Sequence, residues 1–289
     1  ELLARFDEQS NISWGKKMQD SGINVVLGHE KLKVHSKLVY IGTKRGDIAC
    51  IGSGNLHEGT ARLYTDLMLI TAHKGIVRDV AQVFDFIERP FINTHFHHLL
   101  VAPNDMRQPL YQMINKEIRL ARAGKDAFIR LKLNHVVDEK MVAKLYEACT
   151  AGVRVELCLR GNCSLIPGVP GYSEGLFINA IISRYLEHSR IYIFGNDGEP
   201  KYYIGSTDWM TRNLDRRIEV MTPVYDPDIQ RELDFVISAG LRDTEQGYYT
   251  NGEEVRPRRE DIDDKTELFN SQQALYQYYV AKKKEENHG

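Results

Sequence analysis

An internal repeat constrains the fold of this chain more than any other feature of its sequence. Residues 22–68 align without a gap with residues 175–221, at a shift of 153 positions. In each copy a histidine, His35 or His188, stands 17 residues before a Gly-Ser pair, and an acidic residue, Asp66 or Glu219, follows later. Self-similarity at a fixed offset indicates that one structural unit occurs twice. We therefore expect two related domains in the chain.

The repeat extends upstream with a gap of two residues. Residues 1–2 then stand opposite residues 156–157, and Arg5 stands opposite Arg160. In each copy the arginine follows an apolar stretch that has the pattern of a strand. Because the chain begins inside such a stretch, we expect the first domain to be truncated at its N-terminal end.

Hydrophobic periodicity predicts an α/β fold with mixed sheets. The predicted strands span residues 34–41, 126–133, 153–159 and 187–194, and the first and last of these carry the two histidines. The predicted helices span residues 76–86, 110–121, 138–151 and 271–283, and turn residues predict a hairpin within residues 241–257. The helix within residues 126–159 connects two strands, which indicates parallel pairing. We place the first domain at residues 1–102 and the second, with a C-terminal hairpin and helix, at residues 103–289.

Composition argues against several classes of function. The 289 residues include 38 basic and 40 acidic side chains, so the chain has no overall basic field and we expect no nucleic-acid partner. No apolar run approaches the ~20 residues of a membrane-spanning helix, which leaves at most peripheral membrane association. Four cysteines without a CxxC pair fit the reduced thiols of a cytoplasmic protein better than a disulfide framework.

Each copy of the repeat has a cation two residues after its histidine. Lys37 follows His35, and Arg190 follows His188. Side chains two apart on a strand point the same way, so each pair would present an imidazole and a cation together. A neutral imidazole can attack phosphorus or move a proton, and a nearby cation stabilises charge on phosphate oxygens. One such pair also fits a bland surface or core histidine, but two pairs at matched spacing favour phosphate chemistry.

The repeated pattern resembles the phospholipase D superfamily, whose motif HxKxxxxD is followed by a turn of small residues with an asparagine and then by an acidic residue. Asn55 and Asp208 stand in that turn. The aspartate of the motif is replaced by Gly42 and Gly195, which argues against a phosphodiesterase. The resemblance implies two tandem phospholipase D-like α/β domains related by duplication.

Longer stretches resemble one family of that superfamily, the polyphosphate kinases. They are ELLARFDEQSNISW, KVHSKLVYI, GSGNLHEGTARLYTDLMLIT, LRGNCSLIPGVPGYSE, LEHSRIYIFGN and YYIGSTDWMTRNLDRRIEV, in the family's order. The resemblance implies the C-terminal catalytic half of an enzyme that reversibly transfers the terminal phosphate of ATP to inorganic polyphosphate. It also implies Mg²⁺ as cofactor, ATP or ADP and polyphosphate as partners, and a cytoplasmic full-length protein that forms a homo-oligomer.

The same resemblance implies roles for individual residues. His35 is the nucleophile that becomes phosphorylated, and His188 is a second essential histidine beside the nucleotide phosphates. Tyr64 and Arg160 fall on nucleotide-contacting positions, as a stacking or hydroxyl contact and as a phosphate ligand. Arg5 falls beside the magnesium and phosphate site, where a guanidinium binds the phosphate because it cannot ligate the cation.

Three further residues follow from the duplicated pattern. We assign Lys37, Arg190 and Asn55 to phosphate oxygens, with solvent-facing polarity at a strand edge as the alternative. The alternative for Tyr64 is a half-buried core tyrosine.

Two sets of side chains also have an ordinary structural interpretation. Four arginines either line a channel for polyphosphate or form ordinary salt bridges: Arg62, Arg212, Arg216 and Arg217. A histidine cluster has no Cys or carboxylate partner at ligand spacing, so we interpret it as structural rather than as a zinc site: His95, His97 and His98.

Two alternatives to a kinase stay open. A phospholipase D-like phosphodiesterase or nuclease would use the same two histidines. A truncated chain would also fit an inactive phosphate-binding fragment.

Overall fold

The computed structural model describes residues 8–26, 28, 32–250, 255–263 and 267–286. Within them the helices are α1 (Glu8–Asp20), α2 (Glu58–Leu63), α3 (Lys74–Glu88), α4 (Arg107–Arg122), α5 (Glu139–Thr150), α6 (Thr211–Arg216), α7 (Pro227–Arg242) and α8 (Ser271–Glu286). The strands are β1 (Lys33–Val34), β2 (Lys37–Ile41), β3 (Ile48–Gly52), β4 (Tyr64–Thr65), β5 (Met68–Thr71), β6 (Leu100–Ala102), β7 (Phe128–Lys132), β8 (Arg154–Leu159), β9 (Leu176–Ile181), β10 (Leu186–Glu187), β11 (Ile191–Phe194), β12 (Lys201–Gly205), β13 (Arg217–Val224), β14 (Gly247–Thr250) and β15 (Val255–Pro257).

Strands from residues 100–257, together with β1 of the first copy of the repeat, build a large mixed sheet, which confirms the predicted fold class. Its strand order is β1-β13-β12-β11-β7-β8-β9-β14-β15, and β6 also pairs with β13. The β7, α5 and β8 segments form the predicted βαβ unit, with β7, β8 and β9 parallel. The β14 and β15 strands form the predicted hairpin, and α8 is the predicted C-terminal helix. None of the described helices is long and apolar enough to cross a bilayer.

The α5 helix shows how the local sequence determines this architecture. The Asp138 side chain accepts a hydrogen bond from Met141 N at 3.0 Å and so caps the first turn. Met141, Leu145 and Ala148 recur at helical spacing and are fully buried. After the last turn, Gly152 adopts a φ of +93°, which favours glycine.

Helices cover both faces of the large sheet. The α4 and α5 helices bury apolar side chains such as Ile114 and Leu145 against one face. The α7 helix buries Leu233, Val236 and Ile237 against the other face. The result is three layers with the sheet in the middle, which leaves the edges and strand ends to carry the site.

The first copy of the repeat forms a smaller antiparallel sheet, with the order β2-β3-β5. The α3 helix packs on it through Ile76, Val80 and Val83. Ile218 and Val220 of β13 belong to the same apolar cluster. The two units therefore share part of one core.

The two predicted strands that include His35 and His188 are wrong at the histidines themselves, because each strand is interrupted there. The β1 strand ends before His35 and pairs with β13 of the second unit, whereas β2 belongs to the first unit. The β10 strand ends before His188 and pairs with β4 of the first unit, whereas β11 belongs to the second unit. Each segment thus changes its pairing partner at the histidine, so one ladder cannot run through it.

Arg107 joins three elements of the second unit. Its guanidinium donates to Asp138 Oδ1 and Oδ2 at 2.8 and 2.7 Å, and to Asp215 Oδ1 and Oδ2 at 2.7 and 2.9 Å. Only 2% of the Asp138 side chain is exposed. Burial acts to raise the pKa of Asp138, but the hydrogen bonds from Arg107, Thr211 and Met141 N and the charge of Arg107 together lower that pKa to about 2. Asp138 is therefore a buried charge that needs this partner.

We expect Arg107→Met to lower the free energy of unfolding by about 2 kcal/mol, because it leaves the Asp138 carboxylate buried without its cation. Chemical denaturation measures the change. Arg119→Met is the matched control on an exposed face of the same helix, and it should change stability by less than about 0.5 kcal/mol. Equal stability of the two variants would contradict this role of Arg107.

Candidate active site

Each histidine of the repeat pairs with the acidic residue of the opposite unit. His35 Nδ1 lies 2.9 and 3.0 Å from the two carboxylate oxygens of Glu219. His188 Nδ1 lies 2.6 Å from Asp66 Oδ1. A carboxylate only accepts hydrogen bonds, so each neutral imidazole carries its proton on Nδ1 and keeps a lone pair on Nε2. Both rings are thereby prepared to act through Nε2 as nucleophile or base.

The carboxylates are themselves held by neighbouring side chains. Ser206 Oγ donates to Glu219, and Asn213 Nδ2 donates to Glu219 Oε1 at 2.5 Å. Ser53 Oγ donates to Asp66 Oδ1 at 2.7 Å. The two serines are those of the repeated Gly-Ser pairs. Their recurrence in the sequence therefore reflects the orientation of the two carboxylates.

Small residues are needed in these turns because the backbone and the carboxylate come very close. A Cβ atom at Gly205 would lie 2.0 Å from the Val220 carbonyl oxygen. A Cβ atom at Gly54 would lie 2.1 Å from Asp66 Oδ2. Any larger residue would displace the strand or the carboxylate that holds a histidine.

The two cations of the repeat bind back to the histidine residues they follow. Lys37 Nζ donates to the His35 carbonyl oxygen, and Arg190 Nη1 donates to the His188 carbonyl oxygen at 2.5 Å. Arg190 Nη2 also donates to Asp208 Oδ2 at 2.9 Å. Both cations are almost fully buried. They lie beside the histidines although the histidines are not on regular strands.

Charges of both units act on the pKa of Lys37, and we call the residues around His35 and His188 together the cleft. Burial above all, with the charges of Arg190 and Arg217, lowers this pKa to about 8, although Glu219 and Asp66 act to raise it. Most of these charges belong to the second unit, although Lys37 belongs to the first. The two copies of the pattern are therefore close enough to interact.

Burial also sets the charge of the histidines. It lowers the pKa of His35 and of His188 below the ordinary value, although Glu219 and Asp66 act in the opposite direction. Lys37 lowers the pKa of His35 further, and Arg190 does so for His188. Both imidazoles are therefore neutral near pH 7, which a nucleophile or base requires.

A hydrogen-bonded chain connects Arg160 to this cleft. Arg160 Nε donates to Asn134 Oδ1 at 3.0 Å, and Asn134 N donates to Asp208 Oδ1 at 2.8 Å. Asp208 in turn binds Arg190. On the other side, the Tyr64 ring lies 5.0 Å from the His188 ring, centroid to centroid. The structure thus places Tyr64 beside the second histidine and links Arg160 to it through other side chains, and nucleotide contact by either residue stays a prediction.

Two of the predicted site residues are not placed beside the histidines by the hydrogen bonds described above. Asn55 is exposed and borders a cavity of about 450 Å³ together with Asp66, whereas its repeat counterpart Asp208 is buried and bound to Arg190. Arg5 lies outside the described residues.

The structure shows contacts for several of the arginines and histidines that have an ordinary structural interpretation. Arg62 forms an exposed ion pair with Glu58, which favours the salt-bridge interpretation for that arginine. His98 Nδ1 lies 2.8 Å from Tyr225 Oη, and His95 packs edge-on against His97. Across the described part of the chain, no group of three or more His, Cys, Asp or Glu residues is arranged to hold a metal ion.

The chain matches two family models that follow one another along the sequence. Polyphosphate kinase C-terminal domain 1 matches residues 1–92, and polyphosphate kinase C-terminal domain 2 matches residues 99–272. The chain belongs to the polyphosphate kinase family. The resemblance in the sequence is thereby confirmed, and the junction of the two matches lies between the two copies of the repeat.

Individual members of the polyphosphate kinase family are similar over most of the chain. The polyphosphate kinase of Vibrio parahaemolyticus is 46% identical over 84% of this chain and 36% of the relative. That of Escherichia coli K12 is 45% identical over 88% of this chain and 37% of the relative. The crystal structure of polyphosphate kinase from Porphyromonas gingivalis has a TM-score of 0.87 and 34% identity, covering 98% of this chain and 44% of that one. The chain thus spans a little over a third of the length of these curated relatives.

Proposed function

We propose that this chain is the phosphotransfer part of a polyphosphate kinase, which moves the terminal phosphate of ATP to inorganic polyphosphate and back through a phosphohistidine on His35. The observation that carries this proposal is the reciprocal pairing of the histidines with carboxylates of the opposite units. It leaves Nε2 of His35 and of His188 available beside the cations Lys37 and Arg190.

In the first half-reaction, His35 Nε2 attacks the γ-phosphorus of ATP. A P–N bond forms, the bond to the bridging oxygen of ADP breaks, and ADP leaves with that electron pair. The Nδ1 proton stays on the ring, where the Glu219 carboxylate stabilises the positive charge that develops. In the second half-reaction, a terminal oxygen of polyphosphate attacks the phosphorus, the P–N bond breaks, and the chain is longer by one phosphate. The reverse sequence forms ATP.

The other residues of the cleft receive supporting roles in this proposal. His188 acts as a general acid or base beside the nucleotide phosphates, oriented by Asp66. Tyr64 contacts the nucleotide, and Arg160 binds its phosphates. Lys37, Arg190 and Asn55 contact phosphate oxygens and reduce the repulsion between the two polyanions.

The described side chains do not form a magnesium site of their own. The carboxylates of the cleft are already occupied: Asp66 by His188, Glu219 by His35, and Asp208 by Arg190. Mg²⁺ is commonly held by one or two carboxylates together with substrate phosphates and water. We propose that it enters as part of the substrate Mg-ATP, next to the phosphate that Arg5 would bind.

Further features of the proposal concern the whole protein. We propose two domains, at residues 1–102 and 103–289, since the two family matches meet close to that boundary. The near balance of charge supports the absence of a nucleic-acid partner. A cytoplasmic location and a homo-oligomeric longer protein complete the proposal and follow from the family.

The decisive experiment incubates the natural protein that contains this chain with Mg²⁺ and γ-labelled ATP. Acid-labile, base-stable label on the peptide that carries His35, and its transfer to added polyphosphate, would support the kinase. Turnover of a phosphodiester without such label would replace the proposal with the phospholipase D-like hydrolase. Binding of ATP without either reaction would favour a phosphate-binding fragment.

The two glycines at the aspartate positions do not decide between these chemistries. Gly42 follows β2 and Gly195 follows β11, so each lies at the far end of a strand from its histidine. Seven residues of extended chain span roughly 20 Å. The glycines therefore remove no group from the cleft, and the labelling experiment is the appropriate test.

We expect kcat/KM for ATP to fall as pH rises through about 8, because Lys37 has a pKa of about 8 and binds phosphate only while it is protonated. Below this pH the lysine is charged and His35 is neutral down to a pH under 6.5. Lys37→Arg should extend activity to higher pH, since a guanidinium keeps its charge. The pH profile of kcat/KM measures this, and an identical alkaline limb in wild type and variant would exclude Lys37 as its cause.

A further inference from the structure

His135 is an imidazole beside the cleft that the mechanism above does not use. It follows Asn134, the residue that accepts from Arg160 Nε. Two backbone hydrogen bonds fix its segment against the loop after Arg160: Gly161 N to Asn134 O at 2.9 Å, and Val136 N to Asn162 O at 3.0 Å. The backbone on both sides of His135 is therefore held against the loop that follows Arg160.

The His135 ring packs directly over Gly161. A Cβ atom at Gly161 would lie 2.3 Å from His135 Cε1 and 2.5 Å from Nδ1. The ring therefore lies against the residue that follows Arg160, and glycine is the residue that permits this approach. A side chain at position 161 would push the imidazole away from the loop.

The hydrogen bond of His135 determines which nitrogen carries the proton. Asn162 N donates to His135 Nδ1 at 3.0 Å. A backbone N–H cannot accept, so the neutral ring has its proton on Nε2. No residue in the described part of the chain accepts a hydrogen bond from Nε2. The half-buried ring thus keeps one donor, Nε2–H, that no described residue uses.

Four charged side chains influence the pKa of His135: Asp208, Arg160, Arg212 and Arg190. Burial lowers the pKa of His135 below the ordinary value, Asp208 opposes this change, and the three arginines add to it. The ring is therefore a neutral donor within a group of cations. It adds a hydrogen bond to an anion without adding another repelling charge.

We propose that His135 is a further substrate-binding residue, whose Nε2–H donates to a non-transferred phosphate oxygen of the bound polyphosphate anion. The ligand chemistry is that of a phosphoanhydride chain, which both ATP and inorganic polyphosphate offer. This inference rests on the proposed phosphotransfer function. His135 is not the group that reacts, so it affects substrate affinity rather than the chemical step.

Two amide substitutions separate this role from a structural one. His135→Gln keeps an N–H donor near the position of Nε2 but loses the acceptor for Asn162 N. His135→Asn keeps an acceptor near the position of Nδ1 but loses the Nε2–H donor. If His135 binds phosphate, Asn raises KM about tenfold, as expected for a lost hydrogen bond to a charged group, and Gln raises it much less. In both variants kcat stays within about twofold.

Separate titrations of ATP and of polyphosphate show which substrate His135 contacts, since only the KM of that substrate rises. Thermal unfolding provides a second readout, because Gln and not Asn removes the bond to the loop. The proposal is overturned if His135→Asn leaves both KM values unchanged. It is also overturned if Gln raises KM as much as Asn or more, because the variant that keeps a donor near the position of Nε2 should then have kept its affinity.

A binding measurement distinguishes failure of this inference from failure of the proposed function. Inorganic tripolyphosphate is titrated calorimetrically into the natural protein and into its His135→Asn and His135→Gln variants. A dissociation constant about tenfold higher for Asn than for wild type supports the role of His135 even if no phosphate transfer is detected. Equal affinity of all three proteins overturns it even if the wild type is an active kinase.

Discussion

Replacing His35 by alanine is expected to abolish the phosphoenzyme and to slow phosphate transfer by at least ~10⁴-fold, because the proposed reaction assigns the attack on phosphorus to His35. The Nε2 lone pair of His35 is prepared by Glu219 and by burial, and neither influence survives the loss of the ring. Labelling with γ-labelled ATP measures the phosphoenzyme, and consumption of ATP in the presence of polyphosphate measures the transfer.

A matched control for His35→Ala is His97→Ala. His97 is exposed, and its ring packs only edge-on against His95, away from the cleft. This variant should label and turn over like the wild type. Label of normal stoichiometry in His35→Ala, or its loss in His97→Ala, would contradict the assignment of the nucleophile.

Glu219→Gln is expected to lower the rate of phosphohistidine formation by about 10³-fold, by analogy with the loss of an orienting carboxylate in a catalytic triad. The amide brings an N–H donor to a position where His35 Nδ1 now donates. An imidazole that accepts at Nδ1 carries its proton on Nε2, and the nucleophilic lone pair is lost. The folded structure should change little, since glutamine has almost the same shape. Single-turnover labelling measures the rate.

Ser206→Ala is the control for Glu219→Gln within the same network. It removes one donor to Glu219 but leaves Asn213 and His35 bonded to the carboxylate. We expect a rate loss below about tenfold, the size of one neutral hydrogen bond. If Glu219→Gln labels as fast as Ser206→Ala, then the carboxylate is not what orients His35.

Several parts of the fold were predictable from local sequence. The βαβ unit around α5 follows from the Asp138 cap, the helical spacing of Met141 and Leu145, and the stop at Gly152. The hairpin follows from its turn residues in the same way. These elements depend on residues close to each other in the chain, which is why pattern alone specifies them.

The breaks at His35 and His188 were not predictable from the same signals. Apolar residues alternate beyond each histidine, so the pattern indicates one strand that carries the histidine. The break is caused by pairing with a strand of the other unit, more than a hundred residues away. Such long-range pairing leaves no mark on the local pattern.

The candidate site was predictable where the two copies agree. The recurring His, Lys or Arg, Gly-Ser and acidic residues were all visible in the repeat. The partner of each carboxylate was not, because the aligned positions do not tell whether Asp66 serves His35 or His188. Asn134 and His135 were missed because they lie outside both aligned copies of the repeat, so the comparison of the copies does not mark them.

The exchange of carboxylates between the copies makes this chain the covalent equivalent of an intertwined dimer. An ancestral single unit with the same geometry would need a second molecule to complete either histidine, as in a two-fold symmetric assembly. Fusion supplies that partner at a fixed local concentration, independent of how much protein the cell contains. It also means that the loss of the carboxylate in one copy leaves the histidine of the other copy without its hydrogen-bond partner. The sequences of the two copies can therefore differ, but each copy is needed by the other.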